Sequence, residues 1–527
     1  MRHRRLAAAL LAVVATGVVL VTPPTSPSAN AATPGTQCPA PDPATPKEQL
    51  RAEWIASVAN IDWPSRTGLP VADQKAELLR YYDDAVELGL NTVVVQVRPT
   101  ADAFWPSPHE PWSHWLTGKQ GTDPGYDPLA FAVAEAHSRN LEFHGWFNPY
   151  RVSMGTDINA LVPTHPARVH PDWVESYGGK LYYNPGIPAV REFTINAIMD
   201  AVTRYDLDAV HFDDYFYPYP VAGQEFADAD TYAEFGGDFD NIADWRRNNV
   251  NLLISELSAK IRAAKPHVTF GVSPFAIWRN SSTDPEGSPT QGGVETYDDL
   301  YADTRHWVRE GWIDYIVPQI YWNIGFTVAD YAKLVPWWSD VVAGTDVDLY
   351  IGQANYKVAD PAQGAPWHDP NEMSKHLTFN RNHPEVRGDI YFSAIRVREN
   401  KLGHMDIVKA DHYGQPAIPP TPARLEARGP HAPLILDSGR TDDGVRLRWA
   451  AVGATSYAVY RIDGNRPPGR CDTDDGTNLV GTVRDGRGHV ETFVDETAER
   501  GSRYTYVVTA LDRSHNESRA SLPRFVR

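Results

Sequence analysis

The chain has 527 residues, enough for two or three domains of ordinary size. Its 49 Lys and Arg residues are outnumbered by 67 Asp and Glu residues, and the formal charge of −18 argues against binding to a nucleic acid backbone. Two cysteines exclude a disulfide-dense scaffold and a cysteine-rich zinc module. The 16 Trp, 25 Tyr and 17 Phe residues exceed what a core of this size needs, and they indicate flat apolar faces for ligands such as sugar rings.

Residues 1–31 have the pattern of a secretory signal peptide. A basic start and the apolar run Leu6–Val21 are followed by Ala29-Asn30-Ala31, which supplies the small residues of a cleavage site. The run is shorter than the roughly 20 residues of a membrane span, although an uncleaved anchor is the alternative. We therefore expect a secreted, extracellular protein with no stable membrane span. Export would place Cys38 and Cys471 in an oxidising compartment, where a bridge between them and two unpaired thiols both remain open.

From Arg51 to about Tyr413 the chain alternates strand-like apolar runs with amphipathic stretches of helical period. The predicted strands are Glu53–Val58, Thr92–Val97, Leu141–Phe147, Ala209–Phe212, Val268–Val272, Tyr315–Ile320, Leu349–Gly352 and Asp389–Phe392. The predicted helices include Asp73–Leu88, Val190–Tyr205, Asn249–Ala264 and Asp298–Glu310. Eight such units predict an α/β fold, the (β/α)₈ TIM barrel. A doubly wound open sheet is the alternative, and the missing Gly-x-Gly-x-x-Gly after the first strand argues against it.

The pattern changes after the barrel. We assign residues 32–50 to an N-terminal tail, residues 51–415 to the barrel and the proline-rich residues 416–427 to a stiff linker. Beyond the linker, Val445–Trp449, Ser456–Arg461, Glu491–Val494 and Tyr504–Ala510 alternate at period two. A Trp on one strand and Tyr504-Thr505-Tyr506 on another resemble a fibronectin type III sandwich, so residues 428–527 are predicted to be a small all-β domain. We expect residues 32–418 to fold without it.

In a TIM barrel the chemistry lies at the C-terminal ends of the strands. The fourth predicted strand ends in His211-Phe212-Asp213-Asp214-Tyr215, where adjacent carboxylates are costly unless they are paired, hydrogen-bonded or partly protonated. Strand alternation is expected to send His211 and Asp213 to one side and Asp214 to the other. Candidate substrate-binding residues at the strand ends are Arg98, Asp102, Trp112, Asn148, Arg151, His211, Tyr215, Trp278, Gln319, Tyr321 and Trp322.

Each of these residues also has a structural interpretation. Either Asp could cap a helix or pair with an Arg, and the tryptophans could be core residues, as we expect for Trp54. His144 and His211 could bind a metal, but no His-x-His or His-Glu-x-x-His spacing supports this, and neither a metal nor another cofactor is predicted. No Gly-x-Ser-x-Gly elbow is present, which argues against a serine hydrolase.

Seven motifs point to one family. They are Val97-Arg98-Pro99, Pro111-Trp112-Ser113, Thr117-Gly118, Tyr126-Asp127-Pro128, Trp146-Phe147-Asn148-Pro149-Tyr150-Arg151, Phe212-Asp213-Asp214-Tyr215-Phe216-Tyr217-Pro218 and Pro318-Gln319-Ile320-Tyr321-Trp322. Together they resemble the bacterial glycoside-hydrolase-like family ten of (β/α)₈ barrels. The resemblance implies an envelope glycosidase that cuts an amino-sugar polymer, namely peptidoglycan glycan strands stripped of their peptides. It also implies a polysaccharide partner and a location at the cell wall.

Glycosidases place two carboxyl groups across the bond that they cut. We predict Asp213 as the principal catalytic carboxylate, with Asp214 acting or positioning beside it. In the similar α-amylase-type barrels a Glu follows the fifth strand, but Ser273-Pro274-Phe275 has none here. The Asp-x-x-Tyr-Pro ending of the fourth strand also resembles the motif of substrate-assisted chitinases, but the Glu of that motif would fall at Phe216. The partner is therefore unassigned, and the acids that follow the fifth strand are Asp284, Glu286 and Glu295.

Arginines at the strand ends suggest an anion site in an acidic protein. Arg98, Arg151, Arg279 and Arg396 could bind the lactyl carboxylate of N-acetylmuramic acid, or they could pair with acidic residues of the chain itself. Two other functions stay open from the sequence. One is a non-catalytic carbohydrate-binding barrel of the envelope, favoured by the missing acid, and the other is a metal-dependent polysaccharide deacetylase.

Overall fold

The structure is a computed structural model that describes residues 38–39, 42–469 and 471–527. The predicted signal peptide lies outside these residues. By its contacts the chain divides after Pro39, and the fold below is that of the second unit. No helix among the described residues is long and apolar enough to cross a membrane. Neither cysteine is a free thiol.

Eight parallel strands close into a barrel in the order β1-β11-β10-β9-β8-β7-β3-β2. They are β1 (Leu50–Ile55), β2 (Thr92–Arg98), β3 (Glu142–Phe147), β7 (Ala209–Phe212), β8 (Thr269–Val272), β9 (Tyr315–Ile316), β10 (Asp348–Gln353) and β11 (Val386–Phe392). Every residue of β1 and β2 is buried, as expected when a parallel sheet is covered on both faces. The predicted barrel is confirmed, and the open-sheet alternative is wrong.

Helices surround the barrel. They are α1 (Val71–Leu88), α2 (His114–Thr117), α3 (Pro128–Ser138), α4 (Pro166–Val169), α5 (Pro188–Arg204), α6 (Ala229–Phe235), α7 (Ile242–Ala264), α8 (Thr296–Asp299), α9 (Thr304–Arg309), α10 (Tyr331–Val342), α11 (Glu372–Asn380), α12 (Ala394–Glu399) and α13 (His404–His412). The predicted helix Asp298–Glu310 is wrong as one element. It is broken between α8 and α9, where Tyr301 has φ +52° and the Asp303 side chain caps α9 by accepting from the backbone N–H of His306.

A small antiparallel sheet lies in the connection between β3 and β7, and the sequence analysis did not predict it. Its strands are β4 (Arg151–Ser153), β5 (Val174–Tyr177) and β6 (Lys180–Tyr183), in the order β4-β6-β5. β4 begins four residues after β3 ends, so the sheet rises from the C-terminal end of the barrel. It therefore places Arg151 close to the end of β3.

The C-terminal domain is an all-β sandwich, as predicted. One sheet has the order β12-β13-β16 and the other β15-β14-β17-β18. The strands are β12 (Leu434–Thr441), β13 (Gly444–Ala450), β14 (Ser456–Asp463), β15 (Leu479–Arg484), β16 (Val490–Asp495), β17 (Tyr504–Leu511) and β18 (Arg524–Val526). Trp449 is fully buried between the sheets and packs edge-on against Tyr457.

The sandwich docks on the N-terminal end of the barrel, opposite the end where TIM barrels carry their chemistry. Acidic side chains lie at the start of three barrel strands and are met by basic ones from the linker and the sandwich. Arg513 Nη2 lies 3.0 Å from Asp208 Oδ1, and Arg424 Nη2 lies 3.1 Å from Asp314 Oδ2. The linker is anchored as well, since Ile418 packs into the sandwich core. Loss of residues after 418 would remove both arginines from buried carboxylates.

We expect Arg513→Ala to lower the free energy of unfolding by about 3 kcal/mol, because it leaves the buried Asp208 carboxylate short of a cation. Burial acts to raise the pKa of Asp208, but Arg513 and His137 outweigh it and hold the pKa well below its usual value. The stabilisation is therefore present at neutral pH and is lost as the pH falls through that lowered pKa. Urea denaturation of wild type and variant at neutral and acidic pH measures it.

The matched control is Arg466→Ala. Arg466 pairs with Asp472 on the surface, where its side chain is 51% exposed, so its loss should lower the free energy of unfolding much less than the loss of Arg513. Equal urea midpoints for the Arg513 and Arg466 variants would show that the docked sandwich does not stabilise the barrel.

Candidate active site

A cleft of about 470 Å³ opens at the C-terminal ends of the barrel strands. Its walls are mainly aromatic, and the polar groups are few. The lining includes Trp54, Trp146, Arg151, Asp213, Asp214, Tyr215, Tyr219, Ser273, Phe275, Gln319, Tyr321, Tyr356 and Phe392. Six predicted site residues are thus brought together here, namely Arg151, Asp213, Asp214, Tyr215, Gln319 and Tyr321.

Asp213 and Asp214 both face this cleft, which differs from the expectation that they point to opposite sides. The strand β7 ends at Phe212, and the chain that follows is irregular. Side chains alternate between the two faces only while the backbone stays in a strand. Because that regularity stops before Asp213, two consecutive carboxylates can share one cavity.

Asp213 is held by three donor groups. Its Oδ2 accepts a hydrogen bond of 3.0 Å from Trp146 Nε1, its Oδ1 accepts one of 3.2 Å from the Tyr215 backbone N–H, and Asn148 Nδ2 lies 3.1 Å from both oxygens. Burial raises the pKa of Asp213, while the charge of Arg151 and these hydrogen bonds oppose the rise. The donors stabilise the ionised form, so we take Asp213 as the carboxylate of the pair that carries the charge.

Asp214 has fewer partners. It accepts hydrogen bonds from the Tyr219 hydroxyl and from the Gln319 side chain. Burial raises the pKa of Asp214 to about 6, and the charge of Asp213 contributes to the rise. Two close carboxylates ionise together only at a cost, so the pair favours one charge and one proton. The proton belongs on Asp214, which places a protonated carboxyl on the cleft wall below about pH 6.

Arg151 is the cationic side chain among the described residues that line the cleft. Its Nε donates to the Pro99 carbonyl at 3.2 Å, and its guanidinium lies 5.1 Å from the centre of the Tyr215 ring. No ion pair within 4 Å is made by Arg151 in the described part of the chain, although its charge acts on Asp213. The guanidinium therefore keeps donors for an anion in the cleft.

His211 lies under the cleft rather than in its lining. Trp54 Nε1 lies 3.1 Å from His211 Nε2, and the Tyr315 hydroxyl lies 3.1 Å from His211 Nδ1. Because an indole N–H can only donate, Nε2 is the unprotonated nitrogen. Burial lowers the pKa of His211 well below its usual value, and His144 adds to the effect. His211 is thus a neutral support for Trp54, and the predicted contact with substrate is not seen.

Six other predicted binding residues lie outside the cleft lining, and one of them, Asn148, supports it. Asn148 is fully buried and holds Asp213, as described above. Arg98 is also fully buried, pairs with Glu110 through two hydrogen bonds, and donates to the carbonyls of Asn148 and Pro149. Asp102 accepts from the hydroxyl of Thr100 at 3.0 Å. Arg98 and Asp102 therefore shape the loops after β2 and β3, and substrate contact is not their role.

The tryptophans of the loops behave as packing residues. Trp112 and Trp322 are half-buried against the main core, and Trp322 meets Phe275 edge-on with ring centres 5.5 Å apart. Trp278 donates to Asp303 at 3.2 Å and stacks with Trp337. None of the three lines the cleft among the described residues.

The other two arginines that were candidates for an anion site also form ion pairs outside the cleft. Arg279 pairs with Asp298 and Asp284, and Arg396 pairs with Glu399. The three acids that follow the fifth barrel strand do not reach the cleft either. Asp284 is bound to Arg279, Glu286 to Arg305, and Glu295 accepts from Asn280 and Thr283. A partner carboxylate from that loop is therefore not present in the cleft.

Several cleft residues were not predicted from the sequence. Tyr219, which holds Asp214, comes one residue after the end of the recognised Phe212–Pro218 motif. Trp54 was expected to be a core residue, and it is both buried and part of the cleft floor. Tyr356 and Phe275 follow β10 and β8, and Phe392 is the last residue of β11, so their positions at the ends of barrel strands were the available signal. Among the described residues, no group of three or more His, Cys, Asp and Glu is arranged to hold a metal.

Comparisons with known proteins agree with this architecture. A family model described as glycosyl hydrolase-like 10 matches residues 49–369, and one described as the fibronectin type III domain SaeA third domain matches residues 437–527. The chain is 50% identical to glycosyl hydrolase YngK of Bacillus subtilis (strain 168) over 485 residues, which cover 90% of this chain and 92% of the relative. It is 42% identical to glycosyl hydrolase DigH of Escherichia coli (strain K12) over 388 residues, covering 70% of this chain and 87% of the relative.

Among solved structures, the glycoside hydrolase domain of PgaB (BpsB) from Bordetella bronchiseptica matches at 11% identity with a TM-score of 0.45, covering 70% of this chain and 99% of that one. The family match over residues 49–369 spans more than half of the chain, and the relative at 50% identity is aligned over nearly its whole length. The chain therefore belongs to the glycosyl hydrolase-like 10 family, and it is an enzyme of the glycosidase type.

Proposed function

We propose that this glycosidase hydrolyses glycosidic bonds in an amino-sugar polymer, and that its substrate is peptidoglycan glycan strands without their peptides. The observation that carries the proposal is the pair Asp213 and Asp214, which share one aromatic cleft and have unequal hydrogen-bond partners. Aromatic walls suit the apolar faces of sugar rings. A protonated carboxyl beside an ionised one supplies the acid and the negative charge that glycosidic bond cleavage requires.

The roles of the two carboxylates follow from their partners. Asp214 holds a proton below about pH 6 and donates it to the leaving oxygen, as a general acid does. Asp213 stays ionised under its three donors and stabilises the positive charge that develops on the sugar. Both residues touch substrate in this proposal, and Trp146, Asn148, Tyr219 and Gln319 position them.

Arg151 is the cleft residue that favours a substrate with a carboxylate group. Its guanidinium is close to Tyr215 and is not neutralised by an ion pair within 4 Å among the described residues. A lactyl carboxylate of N-acetylmuramic acid would find a planar donor there. An attached peptide turns that carboxylate into an amide and adds bulk, so the proposal accounts for a preference for peptide-free strands.

We propose that the enzyme acts outside the cytoplasm at the cell wall. Residues 1–31 have the pattern of a signal peptide, and neither cysteine is a free thiol, which suits an oxidising compartment. Amino-terminal sequencing of protein recovered from outside the cell tests this, because the exported chain should begin at residue 32.

Asp214→Asn and Asp213→Asn should each lower kcat on peptide-free strands by about 100-fold or more, because the first removes the proton donor and the second removes the charge. The measurement is the release of reducing ends from purified strands, with circular dichroism to show that each variant is folded. Glu399→Gln is the matched control, since Glu399 pairs with Arg396 outside the cleft and its loss should leave turnover unchanged. Near wild-type turnover in both Asn variants would contradict the assignment.

The pH profile tests which carboxylate is the acid. Since Asp214 must be protonated to act, kcat/KM should fall as the pH rises above about 6. Tyr219→Phe removes a hydrogen bond that lowers the pKa of Asp214, so the alkaline limb should move to higher pH. Tyr356→Phe, which also loses a hydroxyl from the cleft lining, should leave the limb in place. A limb that moves to lower pH in Tyr219→Phe, or moves equally in both variants, would refute this role.

Arg151→Ala separates carboxylate recognition from a structural role. We expect kcat/KM on peptide-free peptidoglycan strands to fall about 10- to 100-fold more than on chitin oligomers, which lack the lactyl group. Arg396→Ala, whose partner Glu399 lies outside the cleft, serves as the control. Equal losses on both polymers would mean that Arg151 only sustains the charge of Asp213.

A further inference from the structure

The number and position of the carboxylates in the cleft restrict the mechanism by which a glycosidic bond can be hydrolysed there. Among the residues that the structure describes, the carboxylates of the lining are Asp213 and Asp214. Glycosidases with a protein nucleophile or a protein base place the second carboxyl across the sugar from the acid, about 5–9.5 Å away. Here the two carboxylates come from consecutive residues at the end of β7. They therefore approach a bound sugar from one strand end, and no described carboxylate faces them across the cleft.

The partners of Asp213 make it a poor nucleophile. Its Oδ1 is approached by Asn148 Nδ2 and the Tyr215 backbone N–H, and its Oδ2 by Trp146 Nε1 and the same Asn148 amide. An ionised carboxylate has about four acceptor sites, and the three donor groups make four contacts because the Asn148 amide is shared between both oxygens. A substrate N–H can therefore take one of the two sites that this amide shares. Movement toward an anomeric carbon would break bonds to residues that are themselves buried. Asp213 is thus suited to accept an N–H and to stay charged.

We infer that the nucleophile is the 2-acetamido group of the substrate itself. The inference rests on the proposed function, because an N-acetylated amino sugar carries that group next to the carbon that is attacked. The acetamido N–H donates to Asp213 at a site that the Asn148 amide shares, which turns the carbonyl oxygen toward C1. Asp214, the neighbouring residue, holds the proton that the leaving oxygen needs.

The reaction balances with these groups and water. In the first step the acetamido carbonyl oxygen bonds to C1, the bond between C1 and the glycosidic oxygen breaks, and the proton of Asp214 passes to that oxygen. The product is a cyclic oxazolinium ion, whose positive charge is stabilised by ionised Asp213. In the second step water attacks C1, a water proton returns to Asp214, and the ring opens to restore the acetamido group. Two displacements at C1 retain the anomeric configuration.

The test alters only the acyl group of the substrate. Peptide-free strands are chemically de-N-acetylated and then re-acylated with either acetyl or trifluoroacetyl groups. We expect wild-type enzyme to cut re-acetylated strands as fast as untreated strands. Trifluoroacetylated and free-amine strands should be cut at least about 100-fold more slowly, because the first has an electron-poor carbonyl and the second has no internal nucleophile. The product observed first by NMR should have the retained anomeric configuration.

The outcomes separate this inference from the proposed function. If untreated strands are not cut at all, the proposed function fails and the inference falls with it. If untreated strands are cut and trifluoroacetylated strands are cut equally fast, the proposed function stands and the substrate is not the nucleophile. An inverted product overturns the inference in the same way, since it indicates one direct attack by water.

A second measurement tests whether Asp213 positions the acetamido group of the substrate. A thiazoline made from N-acetylglucosamine is a stable analogue of the cyclic intermediate, and its ring nitrogen, when protonated, donates to ionised Asp213. Asp213→Asn should weaken thiazoline binding by tenfold or more (about the effect of losing one charged hydrogen bond) while affinity for a chitin dimer changes less. Asp298→Asn, whose residue pairs with Arg279 outside the cleft, should bind both ligands as wild type does. Equal losses for both ligands in Asp213→Asn would overturn the role.

Discussion

Two consecutive buried carboxylates are the constraint on which the active end of this barrel depends. Full ionisation of both Asp213 and Asp214 in a cavity lined by aromatic rings is costly, because the charges repel and both side chains are buried. The structure relieves this cost by giving the two residues unequal surroundings. Three donor groups face Asp213, whereas Asp214 has a phenol and an amide. Asp213 therefore carries the negative charge and Asp214 carries the proton. General acid catalysis requires this arrangement, with a proton donor beside a carboxylate that stabilises the positive charge developing on the sugar.

The support of Asp213 extends well below the cleft. Asn148 can hold the carboxylate because its own loop is fixed by Arg98, which is fully buried and bonds to the carbonyls of Asn148 and Pro149. Arg98 is in turn oriented by the two oxygens of Glu110. A buried ion pair contributes little net stability compared with apolar packing, but it fixes geometry when both partners are fully bonded. The ion pair thus acts on the chemistry by positioning Asn148, two contacts away from the substrate.

The sequence predicted the barrel well because its period-two and helical patterns are long and repeated, and because the polar residues at strand ends must converge in a closed parallel sheet. Arg151, Gln319 and Tyr321 were found on this basis. The prediction failed where a local break or a distant partner decides the outcome. The alternation rule placed Asp213 and Asp214 apart, since the end of β7 at Phe212 is not visible in the sequence. Arg98 was assigned to substrate because its partner Glu110 lies in a loop without periodic pattern.

The strand β7 shows how one element serves stability at one end and chemistry at the other. Asp208 precedes it and Asp213 and Asp214 follow it, and all three side chains are buried. At the N-terminal end the docked sandwich supplies Arg513, which with His137 holds the pKa of Asp208 low and keeps that carboxylate ionised. At the C-terminal end no cation pairs with Asp214 among the described residues, and its pKa rises to about 6. At the N-terminal end of β7 a cation compensates the buried charge of Asp208, which stabilises the fold. At the C-terminal end Asp214 is instead neutralised by a proton. Because no cation of the described chain holds Asp214 ionised, that proton can be transferred to a substrate in the cleft.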